Sequence, residues 1–205
     1  AAATSADVLY SGLNPPDVMV TNADNDVVGF AVMPTSGLVT TEVGGIATFT
    51  VALTCKPSAA VTIGISSGDL TEGTVAPTLL TFTALNWNST QLVTVTGVDD
   101  SMADGSIVYT ILTAAAASAD AAYNGQNPTD VLVTNTDNDA VGITVVPTSG
   151  LVTTEAGGTA TFTVALNSQP TANVTIGISS SDTTEGTAAP ASLVFTTANW
   201  NIPQV

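Results

Sequence analysis

The side chains of this chain that could support chemistry are almost all carboxylates. There are 17 Asp and Glu residues against one base and no His, for a formal net charge of −16. Without His, Ser–His and Cys–His nucleophile pairs and imidazole-based zinc sites are absent, so we expect no enzyme activity. With one Lys and no Arg, the chain also lacks the cations that bind nucleic acid phosphates. Binding of a cation through oxygen ligands is the chemistry that remains.

A tandem repeat positions these acids along the chain. The segment 34–42 recurs as 147–155, and Trp87 recurs as Trp200, in both cases 113 positions later. Residues 1–92 align with 114–205 without a gap, and about two-thirds of the aligned positions are identical. We therefore expect a segment of a longer array, although partial repeats of different chains completing each other stays an alternative. The predicted units are the C-terminal part of one repeat (1–26), a complete repeat (27–139) and the N-terminal part of the next (140–205).

Within the complete repeat the pattern is all-β. Short runs rich in Val, Thr, Ile and Phe alternate with clusters of Gly, Pro, Asn and Asp. Seven strands are predicted, at about 28–33 with a continuation near 38–41, 46–54, 60–66, 79–83, 91–97, 106–114 and 130–135. The alanine-rich run 114–119 is assigned to strand end and loop, because a helix would interrupt the rhythm of strands. Seven short strands per repeat predict tandem immunoglobulin-like β-sandwiches.

The alternating direction of successive strands sorts the loops between two poles of the sandwich. Loops after the first, third and fifth strands share one pole with the exit from the seventh, and we name it the C-terminal pole. Eight acids of the complete repeat fall there: Glu42, Asp69, Glu72, Asp99, Asp100, Asp104, Asp137 and Asp139. The opposite, N-terminal pole receives Asp120, Asp130 and Lys56. By the repeat, Asp24 and Asp26 complete the preceding pole, and Glu155, Asp182 and Glu185 begin the following one.

Converging carboxylates need a counter-charge. A like-charge pair at 4 Å costs about 4 kcal/mol at an effective dielectric of 20. Calcium accepts about six to eight oxygen ligands in a flexible geometry, whereas magnesium demands a strict octahedron and softer metals prefer nitrogen and sulfur. The pattern therefore favours Ca²⁺ at the C-terminal pole. Two simpler interpretations stay open, namely solvated acids that form turns and an acidic surface of the halophile type.

The order of these motifs resembles a bacterial Calx-beta repeat. It runs from Val39-Thr-Thr-Glu42-Val-Gly-Gly through the Asp69/Glu72 loop and Val98-Asp-Asp100 to Asp137-Asn-Asp139, and it extends over both partial repeats. The resemblance implies a seven-stranded immunoglobulin-like sandwich of the Calx-beta type, found in sodium–calcium exchangers, integrin β4 and large bacterial surface proteins. It implies calcium ligands at Glu42, Asp69, Asp99, Asp100, Asp104, Asp137 and Asp139. Segments 68–73 and 101–105 depart from the family pattern, the second by carrying fewer acids.

These observations predict a structural segment of an extracellular rod, stalk or filament on a bacterial cell surface, with calcium at the junctions between repeats. The expected partners are neighbouring repeats of the same chain. Self-association into filaments stays open, and neither nucleic acid binding nor membrane insertion is expected. The alternative is a binding module that recognises a glycan or a partner protein through its loops. Because Trp87 and Tyr123 recur as Trp200 and Tyr10, we expect structural roles for them, with Trp87 in the core and the Tyr123 hydroxyl bonded to loop backbone.

Overall fold

The computed structural model describes residues 1–205 and consists of strands, turns and loops. No helix in it is long and apolar enough to cross a membrane. The complete repeat contains ten strands: β1 (Phe30–Met33), β2 (Leu38–Thr41), β3 (Ile46–Leu53), β4 (Val61–Ser67), β5 (Gly73–Ala76), β6 (Leu79–Phe82), β7 (Gln91–Gly97), β8 (Ile107–Thr113), β9 (Ala117–Ser118) and β10 (Val131–Thr136).

Two sheets form an immunoglobulin-like sandwich. The first has the spatial order β1-β3-β7-β5 and is antiparallel throughout. The second has the order β2-β10-β8-β4-β6, with the short β9 also pairing with β4. In this sheet β2 runs parallel to β10, while the other pairs are antiparallel. The parallel pair matters for the site, because both of its strands end at the C-terminal pole.

The prediction of seven strands is too low. The first predicted strand divides into β1 and β2, which belong to different sheets. Strand β5 was not predicted, because its short sequence Gly-Thr-Val-Ala combines two residues that favour strands with two that do not, and its pairing comes from β7. Strand β9 occupies two residues of the alanine-rich run, which is otherwise loop. The run is therefore not helical, as predicted, but it contains a short strand of its own instead of the end of the preceding strand.

The core lies between the two sheets and follows the period of two expected for half-buried strands. In β3, the side chains of Phe49, Val51 and Leu53 are buried on one face. They belong to a cluster of 17 buried residues to which β4, β6, β7, β8 and β10 also contribute. Each fully buried aliphatic or aromatic side chain stabilises the fold by roughly 1.5–3 kcal/mol. Trp87 is partly buried and packs against this cluster, as the sequence predicts.

The following stretch repeats part of this architecture. Its strands are β11 (Ile143–Val146), β12 (Thr163–Leu166), β13 (Val174–Gly177) and β14 (Ser192–Phe195). Ile143 pairs with Leu166 as Phe30 pairs with Leu53, so the register recurs 113 positions later. Four buried residues form a second, smaller core: Val164, Leu166, Leu193 and Phe195. Residues 1–26 contain no strand.

Candidate cation site at the C-terminal pole

The parallel pairing of β2 with β10 brings three acids together. Thr41 lies opposite Thr136 at the last paired position, so Glu42 and Asp137 leave the sheet side by side. The Glu42 amide donates to the Thr136 carbonyl at 3.1 Å, which extends the pairing by one bond. We name Glu42, Asp137 and Asp139 the first acidic group. One carboxylate oxygen from each lies within 4.8 Å of the others.

Hydrogen bonds fix the first acidic group and connect it to the loop between β7 and β8. The Asn138 amide donates to Glu42 Oε2 at 2.9 Å, and the Asn138 side chain donates to Asp99 Oδ1 at 2.9 Å. The Gly105 amide donates to Asp137 Oδ2 at 2.7 Å. The segment after β10 is therefore bonded both to the end of β2 and to both ends of the loop 98–106.

A second acidic group forms beside the first from Glu72, Asp100 and Asp104, again with oxygens within 4.8 Å of one another. Antiparallel pairing places Gly73 of β5 opposite Gly97 of β7. The next residue outward, Val98, donates its amide to the Glu72 carbonyl at 3.0 Å. Glu72 therefore lies at the edge of the sheet where the loop 98–106 leaves β7, and that loop supplies the two aspartates of the group.

A buried polar network lies beneath both groups, and the sequence analysis did not identify it. Asn135 in β10 is 1% exposed and accepts a hydrogen bond from the Thr40 hydroxyl at 3.0 Å. Its amide nitrogen donates to the Val98 carbonyl at 3.0 Å and to Glu72 Oε2 at 3.4 Å. The signal in the sequence was an Asn that continues the inward-facing row of Val131 and Val133 in β10. Asn135 connects the strands that carry the first group with Glu72 of the second.

The electrostatics of the two groups oppose ionisation. Burial raises the pKa of Glu42, and the nearby Asp137 and Asp100 carboxylates add to the effect. Burial also raises the pKa of Glu72, with a further contribution from Asp104. Asp139 behaves in the same way, because burial and the Asp137 charge raise its pKa. One of its carboxylate oxygens is buried without a hydrogen-bond partner. These carboxylates therefore lack a counter-charge within the chain.

Two further predicted ligands of the complete repeat lie outside both groups. Asp69 Oδ1 accepts hydrogen bonds from the Thr71 hydroxyl at 2.6 Å and the Thr71 amide at 3.0 Å. These bonds lower the pKa of Asp69. Asp99 is exposed and its Oδ1 bonds to Asn138. Asp69 thus stabilises its own turn, and Asp99 supports the first group from its rim.

The predicted ligands of the flanking repeats are not brought together. Asp24, Asp26, Glu155, Asp182 and Glu185 are all exposed, and none belongs to a cluster of three acids. Asp182 accepts the same two bonds from Thr184 that Asp69 accepts from Thr71, so the local turn forms in both copies. The stretch 140–205 contains no counterparts of β8 and β10, and those strands border both acidic groups in the complete repeat.

Comparison with known proteins gives only distant structural similarity. No protein-family model matches this chain, and no curated protein matches it. SSP-19, a protein of Caenorhabditis elegans like the MSP-domain family, is 14% identical over 52% of this chain and 98% of its own, with a TM-score of 0.39. The CsuC–CsuE chaperone–tip adhesion subunit complex of Acinetobacter baumannii is 7% identical over 86% and 96%, with a TM-score of 0.40. Domains 1–6 of the surface layer protein SbsC are 17% identical over 86% and 22%, with a TM-score of 0.32.

The sheets and the pole define the class of this chain directly. It is an all-β, immunoglobulin-like sandwich in which two groups of three carboxylates meet at one end.

Proposed function

We propose that this chain is a structural segment of an extracellular rod, stalk or filament in which Ca²⁺ binds at the C-terminal pole and stiffens the joint to the next repeat. One observation carries the proposal. Each acidic group contains a glutamate that is more than nine-tenths buried, Glu42 at 4% exposure and Glu72 at 6%, and each stands beside two aspartates.

The residues present fit calcium. Two ionised oxygens no more than 4.8 Å apart repel by at least about 3.5 kcal/mol at an effective dielectric of 20, and each group contains three such pairs. The only base of the chain, Lys56, belongs to the opposite pole. The unpartnered oxygen of Asp139 is an available ligand atom of the first group. Donors that are all oxygen, on several loops, suit Ca²⁺ better than Mg²⁺ or the softer metals. Bound calcium would supply the missing positive charge and hold these loops together.

The position of the pole supports a role in a joint. Asp139 is followed directly by Ala140, and β11 begins at Ile143, so a short connection separates the first acidic group from the next strand. The loop that carries the second group also contacts the following repeat, because the Gln169 amide donates to the Ser101 carbonyl at 2.6 Å. Loops fixed by a cation at this pole would restrict the angle between the two repeats.

The alternative, a module that recognises a glycan or a partner protein, lacks such support. Recognition of glycans commonly uses exposed aromatic faces, but Tyr123 is 1% exposed and Trp87 packs against the core. The Tyr123 hydroxyl donates to the Cys55 carbonyl at 2.6 Å and accepts from the Cys55 amide at 3.1 Å. The aromatic residues of the N-terminal pole therefore stabilise the fold and its loops. An extracellular location is part of the proposal, since calcium sites of modest affinity suit calcium-rich surroundings.

A calorimetric titration with matched variants tests calcium binding. Glu42→Gln and Glu72→Gln each remove one charge from a group without changing the shape of the side chain, so we expect calcium affinity to fall by tenfold or more. The matched controls are Glu155→Gln and Glu185→Gln, which alter the exposed counterparts 113 positions later and leave affinity unchanged. A parallel titration with Mg²⁺ should show weaker binding.

Two further measurements separate calcium from the simpler interpretations. Addition of calcium to EDTA-treated protein should raise the melting temperature, and small-angle scattering should show a narrower distribution of particle lengths. If neither changes, the acids are solvated turn residues and the proposal fails. If NaCl at matched ionic strength reproduces both changes, the acidic surface acts through general screening instead. Electron microscopy of the calcium-loaded protein distinguishes separate rods from filaments.

A further inference from the structure

The joint between the complete repeat and the next one is a contact between two specific loops. On one side is the loop 98–106, which carries the two aspartates of the second acidic group, and on the other is the loop 167–173 between β12 and β13. The bond from the Gln169 amide to the Ser101 carbonyl connects them. A groove of about 580 Å³ adjoins this bond, and both Asp104 and Gln169 line it. Gln169 therefore contacts the acidic loop of the preceding repeat through its backbone and borders the same groove as Asp104, while its side chain donates to the Thr197 carbonyl at 2.9 Å.

The repeat identifies the same surface on the other copy. The loop 167–173 corresponds to the loop 54–60, and Ser168 and Gln169 correspond to Cys55 and Lys56. Ser168 is buried and Gln169 half-buried, whereas Cys55 is half-buried and Lys56 is exposed. Pro57 and Ala59 are more buried than Pro170 and Ala172, so the lower burial of the loop 54–60 is confined to Cys55 and Lys56. We attribute the additional burial at Ser168 and Gln169 to the contact that this segment makes with Ser101 of the preceding repeat.

The loop 54–60 is held ready for docking. Both hydrogen bonds of the Tyr123 hydroxyl to the Cys55 backbone fix its start. Asp120 Oδ2 accepts from the Ser58 amide at 2.7 Å and fixes its middle. A loop that is already ordered loses little conformational freedom on binding, which favours association. Between these two anchors the loop presents Lys56 to solvent.

We propose that the loop 54–60 is a docking surface for the acidic loop of a preceding repeat of the same kind, with Lys56 in the position that Gln169 occupies against Ser101. Charge complementarity identifies the occupant. Lys56 is the only base of the chain, and a loop like 98–106 presents the three acids Asp99, Asp100 and Asp104. The joints along an array thus differ in charge. A joint with lysine at this position is strengthened by ion pairing, whereas a joint with glutamine there depends on the backbone contact.

The joint between the complete repeat and the next one allows a direct test. Gln169→Lys recreates the proposed lysine joint and Gln169→Glu reverses its charge. Gln169→Met is the neutral reference, because it removes the bond from the Gln169 side chain to the Thr197 carbonyl without adding a charge. Hydrogen exchange of the amide at position 169 reports opening of the joint, since that amide bonds across it. The Leu166 amide, which bonds to Trp200 within the same repeat, reports unfolding of the repeat itself.

In EDTA and low salt we expect the lysine variant to protect the amide at position 169 about two- to fivefold more than the methionine variant, as for an exposed ion pair. The glutamate variant should lower protection by a similar factor. Both differences should vanish near 1 M NaCl, because the Debye length there is about 3 Å and charges farther apart are screened from each other. Protection of the Leu166 amide should not change. Lys56→Gln, the matched control, should leave position 169 unaffected. Equal protection in all three variants at low salt would overturn the proposal, and because calcium is absent, that result leaves the proposed calcium function untouched.

Discussion

Replacement of Asn135 by aspartate should destabilise the calcium-free protein strongly at neutral pH. The substitution Asn135→Asp preserves the size of the side chain and an acceptor for the Thr40 hydroxyl. It removes the donor that reaches the Val98 carbonyl and Glu72 Oε2. It also places a second carboxylate next to a buried one, since the atoms concerned are 3.4 Å apart. The size of the effect depends on whether both carboxylates stay ionised or one of them takes up a proton.

If both carboxylates stay ionised, their repulsion at this separation is about 5 kcal/mol at an effective dielectric of 20. If one of them takes up a proton instead, the cost at pH 7 is about 4 kcal/mol, from an ordinary carboxyl pKa of about 4 and 1.36 kcal/mol per pH unit. The protein takes the cheaper route. The unsatisfied Val98 carbonyl adds about 1–3 kcal/mol. We therefore expect the free energy of unfolding to fall by about 5–7 kcal/mol at pH 7, and part of this loss to be recovered at pH 5.

Urea denaturation in EDTA at pH 7, 6 and 5 measures this effect. The matched control is Asn22→Asp, because Asn22 is the exposed counterpart 113 positions earlier, and its substitution should change stability by less than about 0.5 kcal/mol. A loss below 1 kcal/mol for Asn135→Asp at pH 7, or a loss that does not depend on pH, would refute the proposed contact between this residue and the second acidic group.

Three further predictions concern pH, packing and a loop anchor. In EDTA the melting temperature should be higher at pH 5 than at pH 7. Burial raises the pKa of Glu42, Glu72 and Asp139, so the folded state binds more protons than the unfolded state in this range and loses stability as pH rises. An equal or lower melting temperature at pH 5 would contradict this. Gly97→Ala should cost about 1–3 kcal/mol in urea denaturation, because its Cβ would meet the Thr41 carbonyl oxygen, whereas Gly177→Ala has open space and should not. Tyr123→Phe should cost about 1–3 kcal/mol through the two lost backbone bonds, and the exposed Tyr10→Phe should cost nothing measurable.

The sequence predicted the strands in which apolar residues alternate. It did not predict strands that form mainly because a neighbouring strand pairs with them. Phe49, Val51 and Leu53 revealed β3 by their spacing, and the buried face is the predicted one. Strand β5 has only Val75 as a β-branched apolar residue, and its formation depends on the register with β7, which sequence spacing does not contain. The division of the first predicted strand between two sheets is likewise a property of packing rather than of local propensity.

For the candidate site, the alternating direction of the strands was sufficient to place the acids at one pole. It was not sufficient to assign each acid to the first group, the second group or neither. The parallel pairing of β2 with β10 determines that Glu42 joins Asp137, and no local pattern reveals that pairing. Asp69 was predicted as a ligand from its loop, but its carboxylate is used by Thr71 in a turn. Burial distinguishes the acids that need a counter-charge from those that do not, and burial depends on which strands cover each loop.

The loop 98–106 is where the two proposals meet, because it supplies Asp100 and Asp104 to the second acidic group and Ser101 to the joint. Without a cation, repulsion among the acids favours separation of this loop from Glu72, and any such movement displaces the carbonyl that Gln169 binds. Neutralisation of the group removes that force without altering the contact itself. A cation at the pole and the docking contact at the joint therefore favour the same loop conformation. On this reasoning the charge of −16 is a local property of the poles, and the resistance of the joint to bending should rise together with the stability of the repeat that precedes it.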